Sequence, residues 1–480
     1  MVYVFARGFS QRGTLAVVCV GVGMLMLDIA VVNTALPSVA RDLGAGLSGL
    51  QWVVDAYTLP LATLVLTAGV LADRLGRRRV FVAGLALFTA ASLACALAPG
   101  IVLLDCARAV QGAGGALMFA TALALLADAF REPRERAGAL AAYGAAVGAS
   151  FAIAPLLGGA LTSWLGWRTI FLLNVPIGIA AVAATLRWAR ESRDPEPRRV
   201  DWRGQVTLTS GLFLLVLGLM RGNSDGWTSP VIVAELAAGV MGLASFVAVE
   251  QRASAPMLPL GLFRHRAFAG AQLAAFAISA SFFALFFYST LYLQEVLGLS
   301  AVKAGLAYLP GAVAMFVVSA AGARLAARVS AGTLVVAGLV CASAGMAALL
   351  VVGTDSSWAL FLPGSVMALI GTGLFNPAVS ALLLGAVSPR QTGLASGSGI
   401  AFRQAGLAIG IAAFGAFVPA GAAVGHGSPD AYVTGLHHAF AVGAAVAALG
   451  AVGVAVLIGV GAVRRPAARV VHVQPVAELS

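Results

Sequence analysis

Five ionisable side chains fall inside long apolar runs: Asp28, Asp55, Asp105, Arg108 and Glu235. A charge placed in hydrocarbon costs roughly 2.5–3.5 kcal/mol on insertion scales. A chain that keeps a carboxylate there uses it for a proton, a cation or a buried partner. Asp28, in the stretch Leu27-Asp28-Ile29-Ala30-Val31-Val32-Asn33, is the first of these along the chain and the leading candidate. Its bland alternative is a carboxylate paired to a neighbouring helix for packing alone. Asp105 and Arg108 are three apart, so they share a helix face and can pair. Asp105 then either neutralises Arg108 or takes part in proton handling. A nearby cation and loss of water pull a carboxylate's proton affinity in opposite directions. A group balanced between them can load a proton on one side of a membrane and release it on the other. Glu235 reads as an outer-end snorkelling residue.

The elements that position these residues follow from composition. The chain has 480 residues, of which 60% are hydrophobic and 10% charged, with 57 glycines. A soluble domain carries about 25% charged residues, so this is a polytopic membrane protein, and the glycines suit close helix approach in lipid. A span takes about 20 apolar residues. Such runs lie near 14–36, 50–71, 80–98, 101–127, 137–161 and 167–187, then 204–220 and 230–249, then 267–293, 304–326, 332–352, 357–385, 393–419 and 436–463. Fourteen spans are expected. Residues 1–190 make an N-terminal six-helix half, 191–266 a linker with spans 7 and 8 at the periphery, 267–463 a C-terminal six-helix half, and 464–480 a tail. The N-terminal run continues through Asp28 and reads as a retained span rather than a cleaved signal.

The net charge of +11 is distributed by topology. With the N-terminus in the cytoplasm, 25 of the 30 basic residues fall at the inner side. These include Arg74, Arg77, Arg78, Arg79, Arg131, the linker arginines, Arg390, Arg403 and Arg464. Arg41, Arg168, Arg221 and Lys303 fall outside. This is the positive-inside bias and not a nucleic-acid patch, and both termini are expected in the cytoplasm. Leu71-Ala72-Asp73-Arg74 against Leu325-Ala326-Ala327-Arg328, and Gly138 against Gly393, repeat at offsets of 254 and 255. Two related halves of this kind place substrate at their interface.

Several motifs carry a family resemblance. Gly69-Val70-Leu71-Ala72-Asp73-Arg74-Leu75-Gly76-Arg77-Arg78 matches the loop 2–3 signature of the major facilitator superfamily. Arg108-Ala109-Val110-Gln111-Gly112-Ala113-Gly114 matches its fourth-span motif, and Pro155-Leu156-Leu157-Gly158-Gly159 resembles its fifth-span antiporter motif. Trp167-Arg168-Thr169-Ile170-Phe171-Leu172-Leu173-Asn174-Val175-Pro176-Ile177-Gly178 is typical of the sixth span. Gln294 with Gly298, and Arg403-Gln404 with Gly406, are similar to second-half features. The chain resembles the 14-span drug:proton antiporter branch over essentially its whole length. It departs at Ala154 and Ser150, where the antiporter motif has glycine.

The resemblance implies export of lipophilic, cationic drugs or antibiotics in exchange for protons by alternating access. Asp28, Asp55, Asp105 and Arg108 would couple proton and substrate. Gly69, Asp73 and Arg77 would form a conformational latch, with a mere topology anchor as the alternative. Pro155, Gly158 and Gly159 would bend and pack the fifth span, which packing alone also explains. Met24, Met26, Phe282, Phe283, Phe286, Phe287 and Tyr288 are candidate pocket walls. The runner-up is a narrow carrier of the same fold for a metabolite or self-made antibiotic. An enzyme is not expected: the histidines show no metal-ligand arrangement, and the cysteines (Cys19, Cys95, Cys106, Cys341) have no paired spacing. Gly112-Ala113-Gly114-Gly115 lies within a span and lacks the GK[ST] of a phosphate loop. No cofactor or metal is expected; the partners are substrate, protons and the bilayer, and a monomer suffices. Arginine outnumbers lysine 29 to 1, which points to a GC-rich bacterium and its plasma membrane.

Overall fold

The computed structural model describes residues 2–195, 197, 199–325, 328–388, 391–425 and 427–459. Ala326, Ala327, Glu196, Arg198, Arg390, His426 and the tail 464–480 lie outside the described residues, as do the side chains of Arg7 and Arg324. Among the described residues every regular element is a helix. Hydrocarbon offers the backbone no hydrogen-bond partner, so each span must satisfy its own N–H and C=O groups.

The helices are α1 (Val2–Leu43), α2 (Leu47–Leu75), α3 (Arg77–Ala96), α4 (Ile101–Ala129), α5 (Pro133–Leu165), α6 (Arg168–Leu172) and α7 (Asn174–Trp188). Then follow α8 (Trp202–Asp225), α9 (Pro230–Arg252), α10 (Arg266–Ile278), α11 (Ala284–Leu291) and α12 (Ala301–Leu325). Last come α13 (Ala331–Ala348), α14 (Trp358–Gly385), α15 (Thr392–Gly415) and α16 (Pro429–Ile458). Helix α6 and α7 form one span, as do α10 and α11, which are joined by a π-helical turn at Ser279–Phe283 and end in another at Tyr292–Val296. Among the described residues, thirteen segments are long and apolar enough to cross a membrane. The fourteenth expected run forms α15, where Arg403, Gln404 and several Ser and Gly residues dilute the apolar character. Helix α1 overshoots both expected ends, running from Val2 through polar residues on either side of the apolar stretch to Leu43.

Packing sorts the helices. Helix α4 lies against α2 and α3, α7 against α3 and α1, and α5 against α1; α14 lies against α13 and α12, and α16 against α13 and α10. The first group meets the second along two seams, α2 on α15 and α5 on α12. Helix α8 pairs with α9 and also reaches both α2 and α15. Thr67 on α2 donates to Gln205 on α8 at 2.5 Å, and Asn223 on α8 donates to the Gly415 carbonyl at 3.5 Å. Span 7 thus covers one seam, while span 8 packs on span 7 at the periphery. Glu235 is not a free snorkelling group: Arg221 Nη1 lies 2.5 Å from its carboxylate.

Candidate functional site

Asp28 sits where five helices converge. Its Oδ2 accepts from Arg108 Nη1 at 2.5 Å, and its Oδ1 accepts from Gln111 Nε2 and Asn174 Nδ2, both at 3.0 Å. Arg108 also donates through Nε to the Val53 carbonyl at 2.9 Å and through Nη1 to Gln111 Oε1 at 2.6 Å. Gln111 passes the network on to Ser92 Oγ at 2.7 Å. The Tyr57 ring covers the guanidinium, with Cζ 4.2 Å from the ring centre. Both charged side chains are 1% exposed. Taking two ions out of water is costly, and their attraction offsets that only when the remaining polar atoms are also satisfied. Gln111, Asn174, Ser92 and the Val53 carbonyl supply that satisfaction. Asn174 opens α7 directly after Leu173, whose backbone stays helical, and it points its amide at Asp28.

The expected pairing of Arg108 with Asp105 is therefore replaced by Arg108 with Asp28. The three-residue spacing allows a local pair, but Arg108 turns inward across the bundle. Asp105 lies nearer the start of α4, half-buried, and its Oδ1 has no hydrogen-bond partner among the described residues. Asp55 is fully buried and separate from the Asp28 network. Thr58 donates to its Oδ1 at 3.3 Å, while Oδ2 has no partner among the described residues. One turn earlier, Gln51 donates across the seam to Tyr288 Oη at 2.9 Å and the Ile411 carbonyl at 3.1 Å. Asp55 thus stands beside the junction of the two helix groups.

Pro155, Gly158 and Gly159 form one closure. A Cβ on Gly158 would strike Thr34 of α1, and one on Gly159 would strike the Ala301 carbonyl of α12. Gly305 faces the Pro155 carbonyl in the same way. Nearby, Gln294 donates to the Thr34 carbonyl at 3.0 Å and Arg41 pairs with Glu295 at 2.9 Å. Both contacts join α1 to the end of the α10–α11 span. Toward the Arg-rich end the same helix α5 loosens: Cβ atoms on Gly138, Gly144 and Gly148 would meet nothing within 4 Å. Ala154 is buried and Ser150 faces Gly23 of α1, so the two departures from the antiporter motif are absorbed in packing.

At the Arg-rich end Asp73 and Arg77 pair with each other at 2.9 Å. The partner they meet is the linker after α7. The Ser192 carbonyl accepts from Arg77 N, the Asp73 carbonyl accepts from Asp194 N, and Glu191 accepts from the backbone N–H groups of Arg78 and Arg79. Gly76 ends α2 at φ +111°, and a Cβ there would lie 2.6 Å from Glu191 Oε1, so glycine is required twice over. Gly69 makes no comparable close approach.

A narrow cleft lies between the two helix groups, lined by Ile29, Asn33, Val54, Phe151, Phe283, Phe286, Leu407 and Ile411. Phe283 and Phe286 are thus walls of a cleft, while Phe282 and Phe286 also line a smaller cavity among α11, α12 and α14. Met24, Phe287 and Tyr288 are buried in the core.

The match to known proteins follows this geometry. The family model described as Major Facilitator Superfamily matches residues 18–411. The chain belongs to this superfamily. It is 37% identical over 414 residues to the multidrug resistance protein Stp of Mycobacterium tuberculosis, covering 86% of this chain and 76% of that one. It is 37% identical over 489 residues to the cephamycin export protein CmcT of Amycolatopsis lactamdurans, covering 98% and 99%. A crystal structure of the peptide transporter POT in complex with sulfate superposes with a TM-score of 0.67 at 14% identity over 93% of this chain and 94% of that one; that likeness is one of fold. As a superfamily transporter the protein is a multi-pass membrane protein that moves small molecules. Ser92, Asn174 and Gln111, which complete the Asp28 network, were missed as site residues in the sequence. Gln111 and Asn174 stand inside the fourth- and sixth-span motifs, and that was the available signal.

Proposed function

We propose that this protein exports lipophilic drugs or antibiotics in exchange for protons by alternating access. The observation that carries the reading is the buried Asp28–Arg108 pair on the α1 side of a cleft between two helix groups. The two relatives, named for multidrug resistance and cephamycin export, support the substrate class. With the Arg-rich end in the bacterial cytoplasm by the positive-inside bias, the tight Gly159–Ala301 closure faces outside and the loose part of α5 faces in. The conformation then takes substrate from the cytoplasm.

Protonation of Asp28 removes the charge that holds Arg108. Arg108 keeps the Val53 carbonyl and Gln111, but α1 loses its strongest tie to α4. Helix α1 carries Ile29 and Asn33 of the cleft and Thr34 of the outer closure, so releasing it changes both together. Asp55, beside the other seam, offers a second protonation site. The Asp73–Arg77 loop and its linker strap serve as the latch on the inner side. No cofactor enters the scheme: each proton crossing 100 mV supplies about 2.3 kcal/mol. A monomer suffices.

A second reading, export of one self-made antibiotic, is favoured by the near end-to-end match to the cephamycin exporter. Cells expressing the wild type, preloaded with a panel of labelled antibiotics and dyes, separate the two. Efflux of several compounds that stops on adding a protonophore supports multidrug exchange; protonophore-sensitive efflux of a single β-lactam supports the narrow exporter. Efflux indifferent to the protonophore contradicts both.

A further inference from the structure

We propose that Arg403 sets the specificity of the cleft and that it selects amphipathic anions, an apolar ring system bearing one carboxylate or sulfonate. The proposal rests on the export reading above and names the substrate class of that site. Arg403 does not lie at the inner end with the other basic residues; it stands in the middle of α15. Residues 403, 407 and 411 follow at helical spacing and form one stripe. Leu407 and Ile411 of that stripe line the cleft. The Arg403 guanidinium carbon lies 5.5 Å from the ring centre of Phe283, which is itself a cleft wall.

Among the described residues no carboxylate balances this charge. Arg403 Nη1 donates to Asn376 Oδ1 at 3.3 Å, a neutral partner, and among the described residues Arg403 forms no ion pair. The rest of the guanidinium fork is open, and a planar fork of N–H donors matches a carboxylate in bidentate fashion. An arginine at membrane depth without a counter-ion is a site whose partner is to be named. The opposite wall supplies no competing anion. Neither buried carboxylate of that helix group pairs with Arg403: Asp28 is held by Arg108, Gln111 and Asn174, and Asp55 accepts from Thr58 through Oδ1. The cleft surface is Ile29, Val54, Phe151, Phe283, Phe286, Leu407 and Ile411 with one amide, Asn33, and Arg403 stands just behind it, against the Phe283 wall. Its chemistry is a cation beside aromatic walls. Asp28, which the expectation of cationic substrates relied on, is neutralised by Arg108 in this conformation.

The test uses one ring with three charges. Anthracene-9-carboxylate, its neutral carboxamide and 9-(aminomethyl)anthracene are titrated into the purified full-length protein in lipid nanodiscs, with binding followed by fluorescence. The anion is expected to bind at least about tenfold more tightly than the other two, and Arg403→Gln to remove that advantage, the anion losing far more affinity than the carboxamide. Arg403→Lys, which keeps the charge, is expected to retain part of it and controls for misfolding, as does a wild-type thermal midpoint in Arg403→Gln. Equal affinities, tightest binding of the amine, or an anion preference that survives Arg403→Gln overturns the proposal. Failure of the export reading shows separately: anion binding that depends on Arg403, without movement of any of the three compounds under an imposed pH gradient in proteoliposomes, leaves this site standing and removes proton exchange.

Discussion

Arg108 on α4 and Asp28 on α1 are 80 residues apart in sequence and 2.5 Å apart in the bundle, with both side chains 1% exposed. Breaking a buried pair by removing one partner leaves an uncompensated charge and costs about 3–5 kcal/mol. Arg108→Ala and Asp28→Asn are therefore each expected to lower the thermal midpoint of the detergent-solubilised protein sharply, since each leaves the other buried charge without its partner. The double variant Asp28→Asn with Arg108→Gln should recover most of the loss. A double variant as unstable as Arg108→Ala would show that the pair itself is not what Arg108 stabilises.

The glycines of α5 are predicted to act through the outer closure. Gly159→Val would run its side chain into the Ala301 carbonyl, and Gly305→Val into the Pro155 carbonyl. Either should hold the outer end open and cut transport by about tenfold or more. A cysteine placed at Val302 should become more reactive to an impermeant maleimide added from outside. Unchanged labelling, with expression intact, would remove these glycines from the gate.

Arg41 and Glu295 tie α1 to the far end of the α10–α11 span. Exposed pairs contribute only about 0.2–1 kcal/mol, and Arg41 is 63% exposed. Arg41→Glu or Glu295→Arg should change transport by less than about fivefold, and the charge-swapped double variant should restore it. A much larger single effect would mean that one partner has another role.

The linker strap makes a prediction at the opposite end. Glu191 accepts from two backbone N–H groups at the start of α3, where the helix dipole also favours an anion. Glu191→Ala should loosen the segment 189–195 and speed limited trypsin cleavage after Arg190 and Arg193 severalfold. Cleavage at the wild-type rate would show that the strap is held by its backbone bonds from Arg77 and Asp194 alone.

Much of the fold was legible in the sequence because lipid enforces it: apolar length marks the spans, and arginine gathers at one end of them. The long-range chemistry was less so. Local spacing offers Asp105 to Arg108, and nothing local reveals that Arg108 crosses to Asp28. Arg403 falls inside the expected run 393–419, yet it reads as one of the inner-end charges; the packing of α15 against Phe283 places it beside the cleft. The π turns at Ser279–Phe283 and Tyr292–Val296 leave no periodicity signal in a uniformly apolar run. Asp55 was found for its type and depth, but its place at the seam depends on the cross-bundle bonds of Gln51.

The most direct test of proton exchange through Asp28 is proton movement itself. Purified wild type and Asp28→Asn are reconstituted into liposomes holding a pH-sensitive dye, and a transported compound is added without any imposed gradient. In the wild type, substrate addition should drive a proton flux that a protonophore abolishes, and Asp28→Asn should show substrate binding with no proton flux. A substrate-driven proton flux of wild-type size in Asp28→Asn would contradict the account and move the proton to another group.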